Sequence, residues 1–381
     1  MDTARIQNLW MEAQASLATF QSTKTEASRI EALEIVTNLA RSLEKPRDAI
    51  LKLTYTPAVI MAMKIAVDLG VFPVLANAMS PIPAEKLAAV NKADPLLVER
   101  IMRVLVSCGI VEEPAPCAYL PTAIAKQMTN RPSIGVVESL FCEFNPIFQK
   151  TPEYLQAINY RNPEDPTFAP LQYTHNVKQD GFFWLQDHPA ALTRFNDFME
   201  GHRANRPHWG DWYPVQERII DGAVKDPRRA LLVDIGGGRG HDLMLFRDRF
   251  PDAPGKLVLE DLPSVVDEAT QTWKAAGIEA IKHDFFKEPN PVRGARAYYF
   301  KYIFHDWSDD KARILLRHFI LPDRNARMLH GVTDMAVMAF CAGMERTRAQ
   351  WKNLLEPLGL ETQFWTCEGD GLGVIEAAVR I

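Results

Sequence analysis

Residues 231–241 read Leu-Leu-Val-Asp-Ile-Gly-Gly-Gly-Arg-Gly-His, and they set the architecture of the C-terminal half. An apolar strand leads into a turn whose glycines, Gly236, Gly238 and Gly240, allow the backbone to bend sharply and approach a ligand before a helix begins. The spacing is not that of a dinucleotide site, because G-x-G-x-x-G requires a glycine where this chain has His241. A glycine-rich turn of purely steric origin is the alternative.

An acid, Asp234, stands near the end of this strand. A carboxylate at that position suits a ligand that carries an ammonium group better than it suits a pyrophosphate, because opposite charges attract. We therefore expect Asp234 to contribute to a cofactor site.

Strands and helices alternate from Arg229 onward. Strand-like runs occur at 256–262, 279–286 and 295–304, and helical periodicity is found at 241–250, at 265–276 and from Ser308 onward. This alternation predicts an α/β fold with a doubly wound parallel sheet. Ligands of such a sheet bind at the carboxyl ends of its strands.

Acidic side chains end the second and third strands. Only one of Glu260 and Asp261 can face the ligand edge, where it could accept hydrogen bonds from ribose hydroxyls; alternatively, Asp261 caps the helix after Pro263. At the next strand end, Asp284 beside Phe285 could hold the edge and face of an adenine, or could simply form a turn.

The fourth strand leads to His305 at the same edge as the glycine turn. An imidazole titrates near neutrality, which suits proton removal from a substrate hydroxyl. The following Ser308, Asp309 and Asp310 are expected to cap the next helix and to interact with its positive end.

The N-terminal third is predicted to be helical. Residues 6–43 carry apolar residues at helical spacing and form surface or intersubunit helices that end before Pro46. Residues 57–128 show short helices followed by strand-like runs at 109–112 and 118–121, a winged-helix pattern. Its helices carry few clustered basic residues, which favours a structural or dimerisation role over DNA binding.

Residues 131–225 combine helical periodicity with many aromatic side chains. Most of these side chains are expected in a core and a minority in a ligand pocket. The candidates named from this pattern are Trp184, Phe198, Met199 and Trp209.

Composition excludes several classes of protein. The 381 residues include 43 Lys and Arg against 48 Asp and Glu, and 47% are hydrophobic, as in an ordinary globular protein. A net charge of -5 argues against nucleic acid as a partner. Five scattered cysteines without a C-x-x-C pair indicate neither a disulfide framework nor a metal site. The chain shows no signal peptide and no membrane span, so we expect a cytoplasmic protein.

The chain resembles the class I S-adenosylmethionine-dependent O-methyltransferases of the plant caffeate and fungal polyketide type. The motifs that carry the resemblance are DIGGGRGH, EDLPSVV, HDFF, FKYIFHDWSDDKARILL, AGMERTRAQW and GVIEA. The resemblance implies a Rossmann-like methyltransferase sheet preceded by an all-α and winged-helix dimerisation domain. It implies a homodimer with dimerisation residues 1–130, a helical linker and pocket region at 131–225, and a cofactor domain at 226–381.

The resemblance also implies roles for particular residues. Gly236 and Gly238 match the turn that holds S-adenosylmethionine. The remaining cofactor contacts fall on Asp261, Asp284, Phe285 and Lys301. The catalytic base falls on His305 and an orienting acid on Glu345, and Asp306 is counted with them as catalytic.

In one place the chain departs from this family. Residues 314–320 run directly into Leu321-Pro322-Asp323, where relatives have a turn and a fifth sheet strand that carries a second orienting glutamate. No glutamate occurs between Asp310 and Glu345. We therefore expect a missing or truncated fifth strand, with residues 317–321 as a short replacement.

Three functions are compatible with these features. The first is O-methylation of a phenolic or enolic hydroxyl on an aromatic or polyketide metabolite. The second is dehydration or pericyclic rearrangement that uses the bound cofactor without methyl transfer, and the third is a non-catalytic dimeric relative. Pocket residues assigned by position alone are Phe141, Phe144, Trp184, Phe198, Met199, Met338 and Met344.

Overall fold

The structure, a computed structural model, describes residues 3–203, 207–268, 276–306, 320–367 and 373–379. The chain divides into two units. The first comprises Met1–Gln149 and Phe182–Asn205, and the second comprises Lys150–Gly181 and Arg206–Ile381.

The first unit is mainly helical. Its described α-helices and strands are α1 (Thr3–Thr23), α2 (Glu26–Leu43), α3 (Pro46–Thr54), α4 (Thr56–Asp68), α5 (Val71–Ala76), β1 (Ile82–Pro83), α6 (Ala84–Ala89), α7 (Pro95–Ser107), β2 (Val111–Ala115), β3 (Ala118–Pro121), α8 (Ala123–Gln127), α9 (Arg131–Ser139), the start of α10 (Asn145–Ala157), α12 (Gly181–Gln186) from its second residue onward and α13 (Pro189–Arg203). A π-helical turn (Leu140–Phe144) joins α9 to α10.

The predicted N-terminal helical segment is two helices in the structure. Lys24 adopts a left-handed backbone with φ 53° and ends α1, and the Thr25 side chain accepts a hydrogen bond from the Ser28 backbone N–H, which caps α2. These two local features separate the helices that are predicted over residues 6–43.

The winged-helix pattern is confirmed in the first unit. Strands pair in the order β1-β3-β2, and β1 was not predicted. Strand β2 begins two residues later than predicted because Gly109, with φ 68°, and the Ile110 N–H close the end of α7 onto carbonyls of Val106 and Leu105. Side chains of α4 to α7 and the strands form one buried core cluster around Phe72, Leu75, Met102, Leu105 and Tyr119.

No single helix in the described ranges is long and apolar enough to span a membrane. The bent pair formed by α3 and α4 reaches the required length and composition only when the two helices are taken together. Ala62 and Ala66 of α4 are buried in the core of the first unit.

The second unit is an α/β structure. Its described helices and strands are the end of α10, α11 (Pro170–His175), β4 (Ala230–Ile235), α14 (His241–Arg249), β5 (Lys256–Asp261), α15 (Pro263–Glu268), β6 (Ile278–Lys282), β7 (Ala297–Tyr299), β8 (Ile320–Leu321), α16 (Met328–Cys341), β9 (Arg346–Thr347), α17 (Arg348–Leu355), β10 (Leu360–Thr366) and β11 (Gly373–Val379).

The predicted parallel sheet is present. Strands pair in the order β6-β5-β4-β7, and every pairing is parallel. Both faces of the sheet are covered, since Leu257 and Leu259 of β5 pack into one core cluster and the intervening Val258 packs into another. The loops after these strands therefore meet at one edge, which is where the candidate site lies.

The region of the expected fifth strand contains only β8 among the described residues. Strand β8 pairs in parallel with β9 rather than with the four-stranded sheet, and β10 and β11 form a separate antiparallel pair. Ile320 is 5% exposed and packs in the same core cluster as Val233 of β4. Among the described residues, Ile320 of β8 therefore contacts the four-stranded sheet through side-chain packing.

Some predicted features lie outside the described residues. These are the helix expected from Ser308 with its capping residues Asp309 and Asp310, residues 317–319 of the replacement strand, and most of the helix predicted at 265–276.

Candidate functional site

The glycine turn after β4 has the conformation that the sequence requires. Gly236, Gly238 and Gly240 have φ of 71°, 60° and 69°, a region that side chains disfavour. A Cβ at position 236 would lie 2.5 Å from Cδ1 of Ile303. The turn is therefore packed directly against the segment that leads to His305.

The two neighbouring acids at the end of β5 face different surroundings. Asp261 accepts hydrogen bonds from the N–H groups of Gly238, at 2.8 Å, and Leu262, at 2.7 Å. Burial raises the pKa of Asp261, although these two hydrogen bonds oppose the shift. Glu260 is completely buried and contacts His283 and Asn290 instead. Of the two acids, Asp261 is therefore the one whose side chain contacts the glycine turn, and its hydrogen bond to a ribose remains a prediction.

Asp234 lies beneath the turn. It is 1% exposed, and a Cβ at position 237 would lie 2.5 Å from its Oδ2. Its proposed contact with an ammonium group remains a prediction.

Lys301 forms an ion pair that sequence reasoning missed. Its Nζ lies 2.8 and 2.9 Å from the two carboxylate oxygens of Asp242, in the first turn of α14. Tyr299 donates to the same carboxylate at 3.3 Å, and His208 Nε2 lies 3.6 Å away. Burial lowers the pKa of His208 to about 4, so its imidazole is neutral at pH 7. Asp242 could have been identified as a candidate from the sequence, because it is an acid that directly follows the glycine turn. The sequence contains no comparable indication for His208.

The residues after β6 form the turn that was the alternative for Asp284. Asp284 accepts from the N–H of Phe286 at 3.1 Å and pairs with Lys287 at 2.8 Å, and the hydrogen bond to Lys287 holds the pKa of Asp284 below its usual range. The rings of Phe285 and Phe286 are 4.7 Å apart. Neither arrangement excludes a ligand contact, and the adenine assignment of Asp284 and Phe285 remains a prediction.

The predicted catalytic residues are together in the structure. His305 lies in a short 3-10 turn (Phe304–Asp306), and its Nδ1 is 2.6 Å from Glu345 Oε1. Its Nε2 is 3.6 Å from Asp306 Oδ1, an ion-pair distance. His305 and Glu345 are 8% and 3% exposed, so this contact is shielded from water.

The two carboxylates determine the protonation of His305. Burial alone would lower the pKa of the imidazole, but the charges of Glu345 and Asp306 outweigh burial and raise the pKa to about 9 from an ordinary 6.5. Burial raises the pKa of Asp306 to about 6, against the attraction of His305. The histidine is therefore mostly an imidazolium at pH 7.

Backbone contacts fix the position of this histidine. The Met344 N–H donates to the His305 carbonyl at 2.8 Å. A Cβ at position 343 would lie 1.7 Å from the same carbonyl oxygen, so Gly343 is required by close approach of two backbone segments. The Glu345 N–H donates to Asp334 Oδ1 at 2.8 Å.

A buried arginine joins the same two segments. Arg346 is 0% exposed and donates to the carbonyls of Phe304 and Met344, and its guanidinium lies 5.3 Å from the ring centre of Trp351. Sequence reasoning assigned Glu345 in the same motif but missed Arg346, whose partners are carbonyls that no side-chain pattern reveals.

The pocket residues predicted by position are distributed over both units. Phe141, Phe144, Trp184, Phe198 and Met199 belong to the first unit, and Met338 and Met344 belong to the second. Their assignment to a substrate pocket remains a prediction.

Three of the aromatic pocket candidates make ring contacts in the structure. Phe144 is 4% exposed, with its ring 5.8 Å from that of Phe198, and Trp184 stacks on His188 at 4.3 Å. Trp209 stacks on Phe246 within the core cluster that includes Leu232 of β4 and Leu257 of β5.

Comparison with known proteins identifies the family. An O-methyltransferase domain model matches residues 225–321, and an O-methyltransferase dimerisation domain model matches residues 51–131. The O-methyltransferase asqD of Emericella nidulans is 38% identical over 341 residues, which cover 84% of this chain and 87% of that protein. The chain belongs to the S-adenosylmethionine-dependent O-methyltransferase family. The domain match ends at residue 321, where the sequence departs from the family pattern.

Other family members agree with this assignment. Demethylsterigmatocystin 6-O-methyltransferase of Aspergillus parasiticus is 32% identical over 330 residues, covering 82% of this chain and 83% of that enzyme. The solved structure described as LepI in complex with SAM is 26% identical, covers 97% of this chain and 98% of that one, and has a TM-score of 0.85. A structure described as a pericyclic reaction enzyme is 27% identical, covers 96% and 98%, and has a TM-score of 0.84.

The family cofactor is S-adenosylmethionine, and the residues at the glycine turn fit it. At position 238 no described atom lies within 4 Å of an added Cβ, so the turn leaves open space there. The Asp261 carboxylate lies beside that space and can accept hydrogen bonds from hydroxyl groups.

Proposed function

We propose that this protein methylates a phenolic or enolic hydroxyl of an aromatic or polyketide-derived small molecule, with His305 as the group that takes up the hydroxyl proton. The observation that carries the proposal is the contact of Gly236 with Ile303. Ile303 lies against the glycine turn, and the buried, acid-paired His305 follows it by two residues in the chain, which supports a role for His305 beside a cofactor bound at this turn.

The cofactor is held, in this proposal, by Gly236 and Gly238 of the turn and by Asp261 at its side. Asp234, Lys301, Asp284 and Phe285 complete the site. When bound, S-adenosylmethionine supplies an electrophilic methyl group. The contribution of the protein is to align the acceptor oxygen and to handle its proton.

The charges around His305 make transfer of a proton to its neutral imidazole less unfavourable than transfer to an ordinary histidine. A phenol with a pKa of about 10 facing an imidazole of pKa near 6.5 makes proton transfer uphill by roughly 5 kcal/mol. With the pKa of His305 raised to about 9, the same transfer is uphill by only roughly 1 kcal/mol. At pH 7, however, the neutral imidazole must first be formed from the imidazolium, at a cost of roughly 3 kcal/mol. Turnover should therefore rise with pH.

Glu345 has two effects in this proposal. Its hydrogen bond to Nδ1 fixes the orientation of the ring, and its charge stabilises the imidazolium formed by proton transfer. Asp306 adds a second negative charge at Nε2, in a chain that lacks the second glutamate of its family.

We also propose that the protein acts as a homodimer. The support is the dimerisation domain match over residues 51–131. The winged-helix unit then has an assembly role, and no nucleic acid partner is required.

The experiment that tests the proposal uses His305→Ala. Methyl transfer from labelled S-adenosylmethionine is measured over a panel of phenols and enols, and cofactor affinity is measured by calorimetry. We expect transfer to fall by roughly two to four orders of magnitude, the usual contribution of a general base, with cofactor affinity nearly unchanged. Wild-type turnover in this variant would remove His305 from the mechanism.

A second candidate function is rearrangement or dehydration of a bound substrate without methyl transfer. Two observations favour it. The carboxylates of Glu345 and Asp306 lie next to His305 and raise its pKa, which favours the imidazolium that can donate a proton. The chain is also similar to the structure described as a pericyclic reaction enzyme. Labelled cofactor separates the two functions. Label in the product supports methylation, whereas isomerised substrate that depends on unconsumed cofactor supports rearrangement.

A further inference from the structure

Glu260 and His283 form a buried pair on the side of β5 away from the Asp261 carboxylate. They are 0% and 3% exposed, and His283 Nδ1 lies 2.7 Å from Glu260 Oε2. The proposed function uses neither residue, although both lie at the carboxyl edge of the sheet.

Hydrogen bonding fixes the number of protons in this pair. His283 Nε2 lies 3.1 Å from the Glu288 carbonyl oxygen, and because a carbonyl can only accept, Nε2 carries a hydrogen. The contact between Nδ1 and Oε2 therefore contains one further proton, either on the imidazole or on the carboxyl group. Burial raises the pKa of Glu260, which favours sharing this proton over a bare carboxylate. In both forms the pair is neutral as a whole.

The same pair links three segments of the site. The Glu260 backbone carbonyl accepts from the Gly236 N–H at 2.7 Å, within the glycine turn. Its side chain accepts from Asn290 at 3.0 Å. Through Nε2, His283 holds the carbonyl of Glu288. The loop 283–290, which carries Asp284 and Phe285, is thus fastened at both ends to the strand that supports the glycine turn.

We propose that Glu260 and His283 are positioning residues for S-adenosylmethionine, which set the distance between the glycine turn and the loop that carries Asp284 and Phe285. The proposal rests on the proposed function, because it assumes that this loop contacts the nucleoside end of the cofactor. It assigns these two residues to cofactor affinity and not to chemistry at His305.

The test compares His283→Asn with the double variant Asp284→Ala/Phe285→Ala and with the combination of the two. Affinity for S-adenosylmethionine is measured by calorimetry, and kcat and KM are measured for the cofactor. We expect His283→Asn to weaken binding roughly tenfold or more, the loss expected for one buried hydrogen bond to a charged partner, with kcat at saturating cofactor little changed. In the Asp284→Ala/Phe285→Ala background the same change should add almost nothing, because its effect passes through that loop.

Glu260→Gln is the second variant and covers the case in which His283→Asn folds poorly. With the hydrogen on Nε2, neutral His283 needs a donor at Nδ1, and an amide NH2 placed there cannot accept from Asn290. Glu260→Gln should therefore also raise the KM for the cofactor. Lys282→Gln is the matched control, since Lys282 neighbours His283 but forms an ion pair with the exposed Asp267. Circular dichroism melts verify folding of each variant.

The outcomes distinguish the two proposals. Unchanged cofactor affinity in Asp284→Ala/Phe285→Ala contradicts the proposed cofactor site itself. Weakened binding in that variant together with wild-type affinity in both His283→Asn and Glu260→Gln overturns the positioning role alone. A fully additive effect in the combined variant also overturns it, because the pair would then act independently of the loop.

Discussion

Replacing Glu345 by glutamine should shift the pH dependence of turnover toward lower pH. The side chain keeps its shape, but the negative charge 2.6 Å from Nδ1 of His305 is removed. An opposite charge at this range changes a pKa by about 1–3 units, or about 1.4–4 kcal/mol. The pKa of His305 should therefore fall from about 9 toward its ordinary value, held up only by Asp306.

The sign of the change follows from which form accepts a proton. Only neutral imidazole can take the hydroxyl proton, so wild-type kcat/KM for the acceptor should rise about tenfold per pH unit until pH about 9 and then level off. In Glu345→Gln the rise should end roughly 1–3 units earlier, and the plateau should be lower, because a weaker base removes the proton less well.

Two measurements check this prediction. NMR titration of the imidazole resonances gives the pKa of His305 directly, and a pH profile of methyl transfer gives its kinetic consequence. Glu361→Gln, a change at an exposed position of β10, is the matched control and should leave both unchanged. A wild-type pKa near 6.5, or the same pKa in both proteins, would refute the electrostatic reasoning.

Two further changes test the geometry. Gly343→Ala places a methyl group 1.7 Å from the His305 carbonyl oxygen, so the backbone must move. Thermal melts should show a loss of about 1–3 kcal/mol or more in the free energy of unfolding, and turnover should fall strongly. Wild-type stability and turnover would mean that this close approach is not required. Asp261→Asn keeps the size of the side chain but removes its charge beside the glycine turn. Calorimetry should show roughly tenfold weaker binding of S-adenosylmethionine. Unchanged affinity would exclude Asp261 from the cofactor site.

The sequence predicts the fold and the candidate site residues best where those residues lie at the end of a strand. The parallel sheet and the glycine conformations follow from motifs whose positions in a doubly wound fold are fixed by topology. The meeting of His305 with Glu345 was instead implied by the resemblance to the family. Alternation along the second strand also predicts that only one of the neighbouring acids Glu260 and Asp261 faces the ligand edge. Alternation alone does not decide which of the two it is.

The missed residues have a different physical character. Asp242 binds Lys301 from another segment, His208 lies beside Asp242, and Arg346 binds two backbone carbonyls. These contacts depend on tertiary distances that leave no periodic trace in the sequence. Likewise, the sequence predicted a shortened fifth strand but could not show that β8 pairs with β9.

The central claim is that the acceptor oxygen reacts between His305 and a methyl group held over the glycine turn. A crystal structure with S-adenosylhomocysteine and an acceptor tests it most directly. The account predicts cofactor at Gly236 and Gly238, with Asp261 at the ribose and the acceptor oxygen about 3 Å from His305. A cofactor bound away from this turn, or an acceptor oxygen beyond the reach of His305, would contradict it.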